Sequence, residues 1–148
     1  MKKLLLTRGL ETLVNKEDYE WAKSMKWWAS PKNGGVYANS SKGYLHRLIL
    51  NPTNGYEVDH INGDPLDNRR KNLRLATRLQ NSRNSKKRKD NTSGYKGVSW
   101  NKQKNKWVAK AWMKGKQIHL GYFENIGVAS SAYNKGIKKL YGEFARPN

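Results

Sequence analysis

The stretch VDHINGDPLDNRRKNLRLATRLQN, residues 58–81, contains the local signals of two strands, a loop and a helix. Turn-forming residues fill its middle, between two short apolar runs. Thr77 followed three residues later by Gln80 is a capping box, so a helix is predicted to begin there. The predicted elements are a strand over 56–60, a loop over 62–68, a strand over 73–76, and a helix from 77 that could run toward 89. This order predicts a compact ββα unit.

The preceding segment predicts short strands around one small helix. Its pieces are a helix over 16–23 with Asn15 as N-cap, hairpin strands over 27–29 and 36–38 joined by residues 30–35, and an apolar segment over 43–50. The helix segment is acidic at its start and basic at its end, which suits the helix dipole. Periodicity leaves both strand and helix open for the apolar segment.

The C-terminal part predicts a three-stranded antiparallel sheet with one helix packed on it. Residues 90–94 are polar and predict a linker. The pieces after it are strands over 95–100, 107–113 and 116–123, a tight turn at Lys114-Gly115, and a helix over 128–141 capped by Gly142. The predicted fold class is therefore α+β.

Charge is the main compositional feature of this 148-residue chain. Thirty Lys and Arg against 11 Asp and Glu give a formal charge of +19, which points to a polyanionic partner. The absence of cysteine excludes disulfides and thiolate zinc sites, so a bound metal would need oxygen and imidazole ligands. No apolar run approaches the roughly 20 residues of a membrane span, and no signal peptide is evident. We expect an intracellular, cytoplasmic protein without a membrane partner.

Three polar residues of the opening stretch suit phosphodiester hydrolysis. Asp59 ends the first strand and Asn81 lies early in the helix, so both could present oxygens to one cation. Two oxygen ligands with open positions suit Mg²⁺, which keeps waters and accepts phosphate oxygens. His60 could take a proton from the attacking water, since a neutral imidazole near pH 7 is an effective general base.

The ordered set Asp59-His60, Asn72 and Asn81 resembles the HNH endonuclease family, in its phage and intron homing branch. The match is dense from residue 56 to about residue 84. The resemblance implies a ββα-metal fold that cleaves double-stranded DNA, with Asp59 and Asn81 as metal ligands, His60 as general base and Asn72 holding the loop that carries it. Asparagine at the third signature position favours a hard cation, Mg²⁺ with Mn²⁺ as the alternative. His46 matches a recurrent feature of this branch, and packing and catalytic support both stay open for it.

Residues 69–89 contain ten Lys or Arg and no acid. Such a run is commonly a solvated helix face, but beside a nuclease site it could neutralise phosphates. The candidates for backbone contacts are Arg69, Arg70, Arg74, Arg78 and Arg83.

The C-terminal sheet is predicted to have two different faces. Alternation places Ala109, Ala111, Ile118 and Leu120 on the face covered by the helix, and Lys110, Trp112, Gln117 and His119 on the other. A polar and basic face with an exposed tryptophan is typical of a binding surface, and a sheet can enter the major groove.

The runs YKGV at 95–98, KWVA at 106–109 and HLGYF at 119–123 resemble the Apetala-type (ethylene-response-factor) DNA-binding domain. The resemblance implies that the sheet reads the major groove through Lys96, Ser99, Trp100, Lys110, Trp112, Gln117, His119 and Tyr122. Several arginines of the plant pattern are replaced here, so the plant target sequence does not carry over. For His119, a contact with DNA and a position on the sheet surface without such a contact are equally open.

Together the motifs predict a monomeric, Mg²⁺-dependent homing-type endonuclease that nicks one strand of double-stranded DNA. Its predicted parts are an N-terminal extension of the nuclease domain over 1–55, the HNH motif and basic helix over 56–89, the linker over 90–94 and the DNA-binding domain over 95–148. Two alternatives remain. One is a sequence-specific DNA-binding regulator with an inactive HNH module, and the other is a structure-selective nuclease of phage DNA processing.

Overall fold

The computed structural model describes residues 1–32 and 34–148, and they form helices and small antiparallel sheets, as the α+β prediction requires. The chain divides into two units, Met1–Ser82 and Arg83–Asn148. Among the described residues, no helix combines the length and the apolar character needed to cross a membrane.

The first unit contains three small antiparallel sheets, in which β1 pairs with β2, β4 lies between β3 and β5, and β6 pairs with β7. In chain order its elements are β1 (Lys2–Leu5), β2 (Glu11–Val14), α1 (Lys16–Ala22), β3 (Trp28–Lys32), β4 (Gly35–Ser40), β5 (Gly43–Tyr44), α2 (Leu45–Leu50), β6 (Tyr56–His60), β7 (Leu73–Thr77) and α3 (Arg78–Arg83), of which only the last residue, Arg83, belongs to the second unit. The predicted connection over 30–35 is shorter than expected, since β3 runs to Lys32 and β4 begins at Gly35. Asn33 of that connection lies outside the described residues.

The ambiguous apolar segment resolves into a two-residue strand followed by helix α2. Leu45 and Ile49, one helical turn apart, are both buried and join a core that includes Val14, Val58 and Leu73. The helical spacing buries two large side chains on one face, so packing decides between the two conformations that periodicity left open.

The predicted N-cap of α1 is only partly correct. Asn15 occupies the N-cap position, but its side chain makes no capping bond and instead accepts from the backbone N–H of Arg70 at 2.9 Å. Buried Asp18 in the first turn accepts from Nε and Nη2 of Arg70 at 2.9 and 2.7 Å. Both side chains therefore fasten α1 to the turn that precedes β7.

Elements β6, β7 and α3 follow one another in the predicted order. Tyr56 pairs with Thr77 and His60 with Leu73 in the antiparallel register. The capping box is confirmed, because Thr77 N donates to Gln80 Oε1 at 2.8 Å and Gln80 N donates to Thr77 Oγ1 at 3.3 Å.

The predicted extension of this helix toward residue 89 is wrong, since α3 ends at Arg83. Four consecutive cations at 86–89 repel one another, which disfavours a continued helix. The ammonium of Lys96 donates instead to the carbonyls of Arg83 at 3.0 Å and Ser85 at 2.8 Å. This side chain satisfies carbonyls that a continued helix would have bonded.

The second unit is a β10-β9-β8 antiparallel sheet with one helix, as predicted. Its elements are β8 (Val98–Asn101), β9 (Lys106–Met113), β10 (Lys116–Phe123) and α4 (Ile126–Tyr141). Asn125 caps α4 by accepting from Gly127 N at 2.7 Å and Val128 N at 3.2 Å, and Gly142 follows with φ of 56°. Lys114 and Gly115 both have positive φ, which suits the predicted tight hairpin.

The core of the second unit lies between the sheet and α4. Ala109 and Ala111 are buried there with Tyr133 and Ile137. Gly97 has φ of 71°, and a Cβ built on it would lie 2.0 Å from the Tyr133 ring. The close contact between Gly97 and this ring therefore depends on the absence of a side chain.

Candidate active site and nucleic-acid interface

His60 ends β6 and is buried, with 6% of its surface exposed. Its Nε2 atom lies 3.2 Å from Oδ1 of Asn68. The Asn68 amide is oriented by its own donor group, which bonds to Thr12 Oγ1 at 2.7 Å and to the Pro65 carbonyl at 3.1 Å. Because an amide oxygen can only accept, Nε2 carries the proton of neutral His60, and Nδ1 is the proton-accepting nitrogen.

Aromatic rings surround the His60 imidazole. The His46 ring centroid lies 5.1 Å away and the Tyr37 centroid 6.2 Å away, both edge-on, and Tyr44 stacks on His46 at 5.6 Å. Burial lowers the pKa of His60, against the opposing effect of the Asn68 hydrogen bond. The ring is therefore neutral near pH 7, the form that a general base requires.

His46 is buried beside His60, and burial, followed by the proximity of His60, lowers the pKa of His46 to about 3. An unfolded chain would protonate this ring below about pH 6.5, whereas the folded protein keeps it neutral. The stability that depends on neutral His46 is thus complete above pH 6.5 and is lost as the pH falls toward 3. The loss should approach about 1.4 kcal/mol per pH unit within that window.

We expect His46→Gln to flatten the decline in the free energy of unfolding between pH 6.5 and pH 4, measured by denaturant titration. His119→Gln is the matched control, because His119 is exposed. Parallel pH profiles for wild type and His46→Gln would show that His46 does not couple folding to protonation.

The loop after His60 is held by amide and carboxylate side chains. Asn72 donates to Asn62 Oδ1 at 3.0 Å and to the Asp67 carbonyl at 2.8 Å, and its Oδ1 accepts from the backbone N–H of Asn62 at 3.0 Å. Asp64 accepts from the N–H of Leu66 at 3.0 Å. Asp64, Asp67 and Asn68 all form hydrogen bonds within this loop, and Asn68 also bonds to His60.

Asp59 and Asn81, predicted to share a cation, bond to different partners in the structure. Asp59 Oδ2 accepts from Nε of Arg74 at 2.8 Å and lies 2.7 Å from its Nη2. Asn81 Nδ2 donates to Glu57 Oε2 at 2.6 Å. Glu57 and Asp59 lie two residues apart on β6, so both point to the strand side that Asn81 reaches.

The donor set on this side of β6 suits a hard divalent cation, since carboxylate and amide oxygens are the ligands that Mg²⁺ and Ca²⁺ prefer. Within residues 1–32 and 34–148, no three His, Cys, Asp or Glu side chains are grouped closely enough to hold a metal by themselves. A cation held by Asp59 and Asn81 would therefore complete its coordination with water or substrate oxygens.

Most of the arginines predicted to contact phosphates have carboxylate partners within the protein. Arg69 forms a two-pronged pair with Asp67, both bonds at 2.6 Å, and Arg70 pairs with Asp18. Arg83 lies over the Tyr141 ring at 4.9 Å, and Arg78 is exposed. These pairs were not predicted, because their acidic partners lie in loops or distant elements.

The sheet face opposite α4 carries six of the eight residues predicted to contact DNA, all exposed or half-buried: Ser99, Lys110, Trp112, Gln117, His119 and Tyr122. Trp112 is the most exposed of the large aromatic side chains, at 61%. A register shift between His119 and Gly121 leaves Leu120 as an extra residue, so Tyr122 pairs with Val108 on the open face. Strict alternation would have placed Tyr122 under the helix.

The other two predicted contacts lie elsewhere. Trp100 pairs with Trp107 across the strands, and their rings lie 5.1 Å apart on the side of the sheet that faces α4. Lys96 donates to the backbone carbonyls of Arg83, the last residue of α3, and of Ser85. Burial, followed by the charge of Arg146, lowers the pKa of Lys96 to about 8.

Comparison with known proteins shows similarity to nucleases. A family model described as HNH endonuclease matches residues 44–83. Protein 3.8 of Escherichia phage T7 is 41% identical over 92 residues, which cover 62% of this chain and 75% of the phage protein. An uncharacterized HNH endonuclease of Acanthamoeba polyphaga mimivirus is 33% identical over 153 aligned positions, covering 97% of this chain and 79% of the viral protein. No solved structure matches.

Proposed function

Because this chain belongs to the HNH endonuclease family and is accordingly a DNA nuclease, we propose that it is a homing-type enzyme that nicks one strand of double-stranded DNA with the help of a divalent metal. The observation that carries the proposal is His60, a buried and neutral imidazole oriented by Asn68. A neutral base of this kind can take a proton from a water molecule that attacks a phosphodiester, so this geometry supports hydrolysis.

The proposed roles follow from the contacts. His60 takes a proton from the attacking water at Nδ1, and Asn72 positions the loop that carries this ring. Asp59 and Asn81 hold Mg²⁺, with Mn²⁺ as the alternative, and β6, β7 and α3 form the ββα-metal arrangement. A bound divalent ion supplies charge stabilisation for the phosphoryl group and the departing oxygen. Asp59 and Asn81 are supported as ligands because Asn81 bonds to Glu57, which lies two residues before Asp59 on the same side of β6.

For the C-terminal module we propose the Apetala-type role of anchoring the enzyme on duplex DNA through the open sheet face. The boundaries proposed for the modules are 1–55, 56–89, 90–94 and 95–148. Lys110 and Trp112 support this role, since a cation and an exposed indole lie side by side on the same strand face. Basic and aromatic side chains on one face are typical of nucleic-acid surfaces.

Trp112→Ala and Lys110→Ala should each weaken binding to the target DNA by more than they weaken binding to bulk DNA. Loss of a base contact costs about 1–3 kcal/mol, or roughly 5- to 150-fold in affinity. Competition binding against a pool of random fragments measures both affinities. Val128→Ala, an exposed change on α4, is the control. Equal losses of specific and bulk affinity would remove the sheet as the reader of sequence.

The experiment that tests the proposed function is incubation of the protein with supercoiled plasmid in Mg²⁺ and in EDTA. We expect open circles that appear only with Mg²⁺, because one active site per chain cuts one strand. Linear product would indicate paired cuts and would overturn the nicking proposal. Binding without cleavage would favour a DNA-binding regulator, and cleavage that follows branches or gaps regardless of sequence would favour a structure-selective nuclease.

A further inference from the structure

The Arg74–Asp59 pair lies inside the candidate active site and is nearly sealed from solvent. The two side chains are 11% and 5% exposed, and the residues face each other across β6 and β7. Both Nε and Nη2 of Arg74 lie within 2.8 Å of the same carboxylate oxygen, Oδ2. The guanidinium of Arg74 therefore already binds the Asp59 carboxylate, which the proposed function assigns to the metal ion as a ligand.

We propose that Arg74 is a placeholder cation: it holds Asp59 in the metal-free enzyme and moves to the scissile phosphate when a divalent ion and DNA arrive. This inference rests on the proposed function. It assigns to Arg74 two partners used in turn, Asp59 and then a phosphate.

Electrostatics is the first reason for the exchange. A buried carboxylate without a cation would be strongly destabilising, so the metal-free protein needs a positive charge at Asp59. Two cations competing for one oxygen repel each other, so divalent binding is weakened as long as the guanidinium stays there. Removal of Arg74 should consequently strengthen divalent binding to the free protein.

Geometry is the second reason. Phosphate oxygens that bind a cation at Asp59 would lie within reach of a guanidinium that now contacts the same carboxylate. The planar fork of arginine donates two parallel bonds to phosphate as readily as to carboxylate. DNA would thereby draw Arg74 away from Asp59 and favour loading of the metal, which couples the two binding events.

The test compares wild type with Arg74→Met in the full-length protein, using MgCl₂ and MnCl₂ titrations without DNA followed by calorimetry and thermal melting. We expect divalent affinity of the free variant to rise by about 5- to 150-fold, the usual range of such coupling. In EDTA the variant should melt at a lower temperature than wild type, and added Mg²⁺ should restore much of the loss. If Arg74→Met folds only in the presence of Mg²⁺, that result would also support the proposal.

Arg69→Met is the matched control. It also removes one partner of a buried carboxylate, since the Asp67 side chain is 3% exposed, but Asp67 is not a proposed metal ligand. It should be destabilised without rescue by Mg²⁺. The double change Asp59→Asn with Arg74→Met should abolish the rescue, which would assign it to Asp59.

Two results would overturn the proposal. One is unchanged divalent affinity in Arg74→Met, and the other is equal Mg²⁺ rescue of the Arg69 and Arg74 variants. Neither result alters the plasmid assay of the wild-type protein, in which Mg²⁺-dependent open circles report on the proposed function alone. If the wild-type protein does not nick DNA but the change in divalent affinity is still present, the proposed function is wrong and the proposed role of Arg74 is not contradicted.

Discussion

Replacing His60 by alanine is expected to lower the rate of DNA cleavage by about 10²–10⁴-fold, the usual contribution of a general base. The ring is buried and neutral, and Asn68 fixes the tautomer that leaves Nδ1 to accept a proton. The alanine side chain has no atom that could accept a proton from the attacking water. Single-turnover cleavage of a plasmid in saturating Mg²⁺ measures this chemical step, and the DNA affinity of the variant should stay within a few-fold of wild type.

Two controls separate chemistry from folding. Val128→Ala changes an exposed side chain on α4, away from the open sheet face, and should leave the single-turnover rate unchanged. Asn68→Ala removes the acceptor that orients His60 but keeps the imidazole itself, so its loss of rate should be smaller than that of His60→Ala. Cleavage by His60→Ala at the same single-turnover rate as wild type would exclude His60 as the general base.

Gly97→Ala is expected to destabilise the second unit by about 2–5 kcal/mol. The substituted Cβ would lie 2.0 Å from the Tyr133 ring, and overpacking of this kind costs about 1–3 kcal/mol. The positive φ of 71° adds about 1–2 kcal/mol for any residue with a Cβ. Denaturant unfolding of the full chain, together with retained or lost DNA binding, measures the result.

Gly115→Ala is the matched control, because Gly115 has a similar φ of 75° but nothing within 4 Å of a built Cβ. It should show only the backbone cost of about 1–2 kcal/mol. Equal destabilisation by the two substitutions would mean that contact with Tyr133 contributes nothing.

Local signals in the sequence predicted the elements that depend on neighbouring residues. The Thr77–Gln80 capping box, the Lys114-Gly115 turn and the helix before Gly142 were all confirmed, since each is defined within a few positions of the chain. The extent of α3 was not predicted, because its end depends on a lysine thirteen residues further on that takes the carbonyl of Arg83.

The less predictable part of the site is made of contacts between distant positions. Asp18 meets Arg70 across 52 residues, and His46 meets the His60 ring from another element. The spacing of residues along the sequence does not indicate which distant positions come into contact. The bulge at Leu120 is a further example, since one extra residue reverses the faces that alternation assigns beyond it.

The ion pairs of Arg69 and Arg70 also bear on how the protein responds to salt. A cation that binds a DNA phosphate releases condensed counterions, and each such contact adds about 0.9 to the slope of log affinity against log salt. Guanidinium groups already neutralised by Asp67 and Asp18 release none unless those pairs break. The count of thirty Lys and Arg therefore overstates the number of cations available to DNA phosphates, and the salt sensitivity of binding should reflect mainly the exposed lysines.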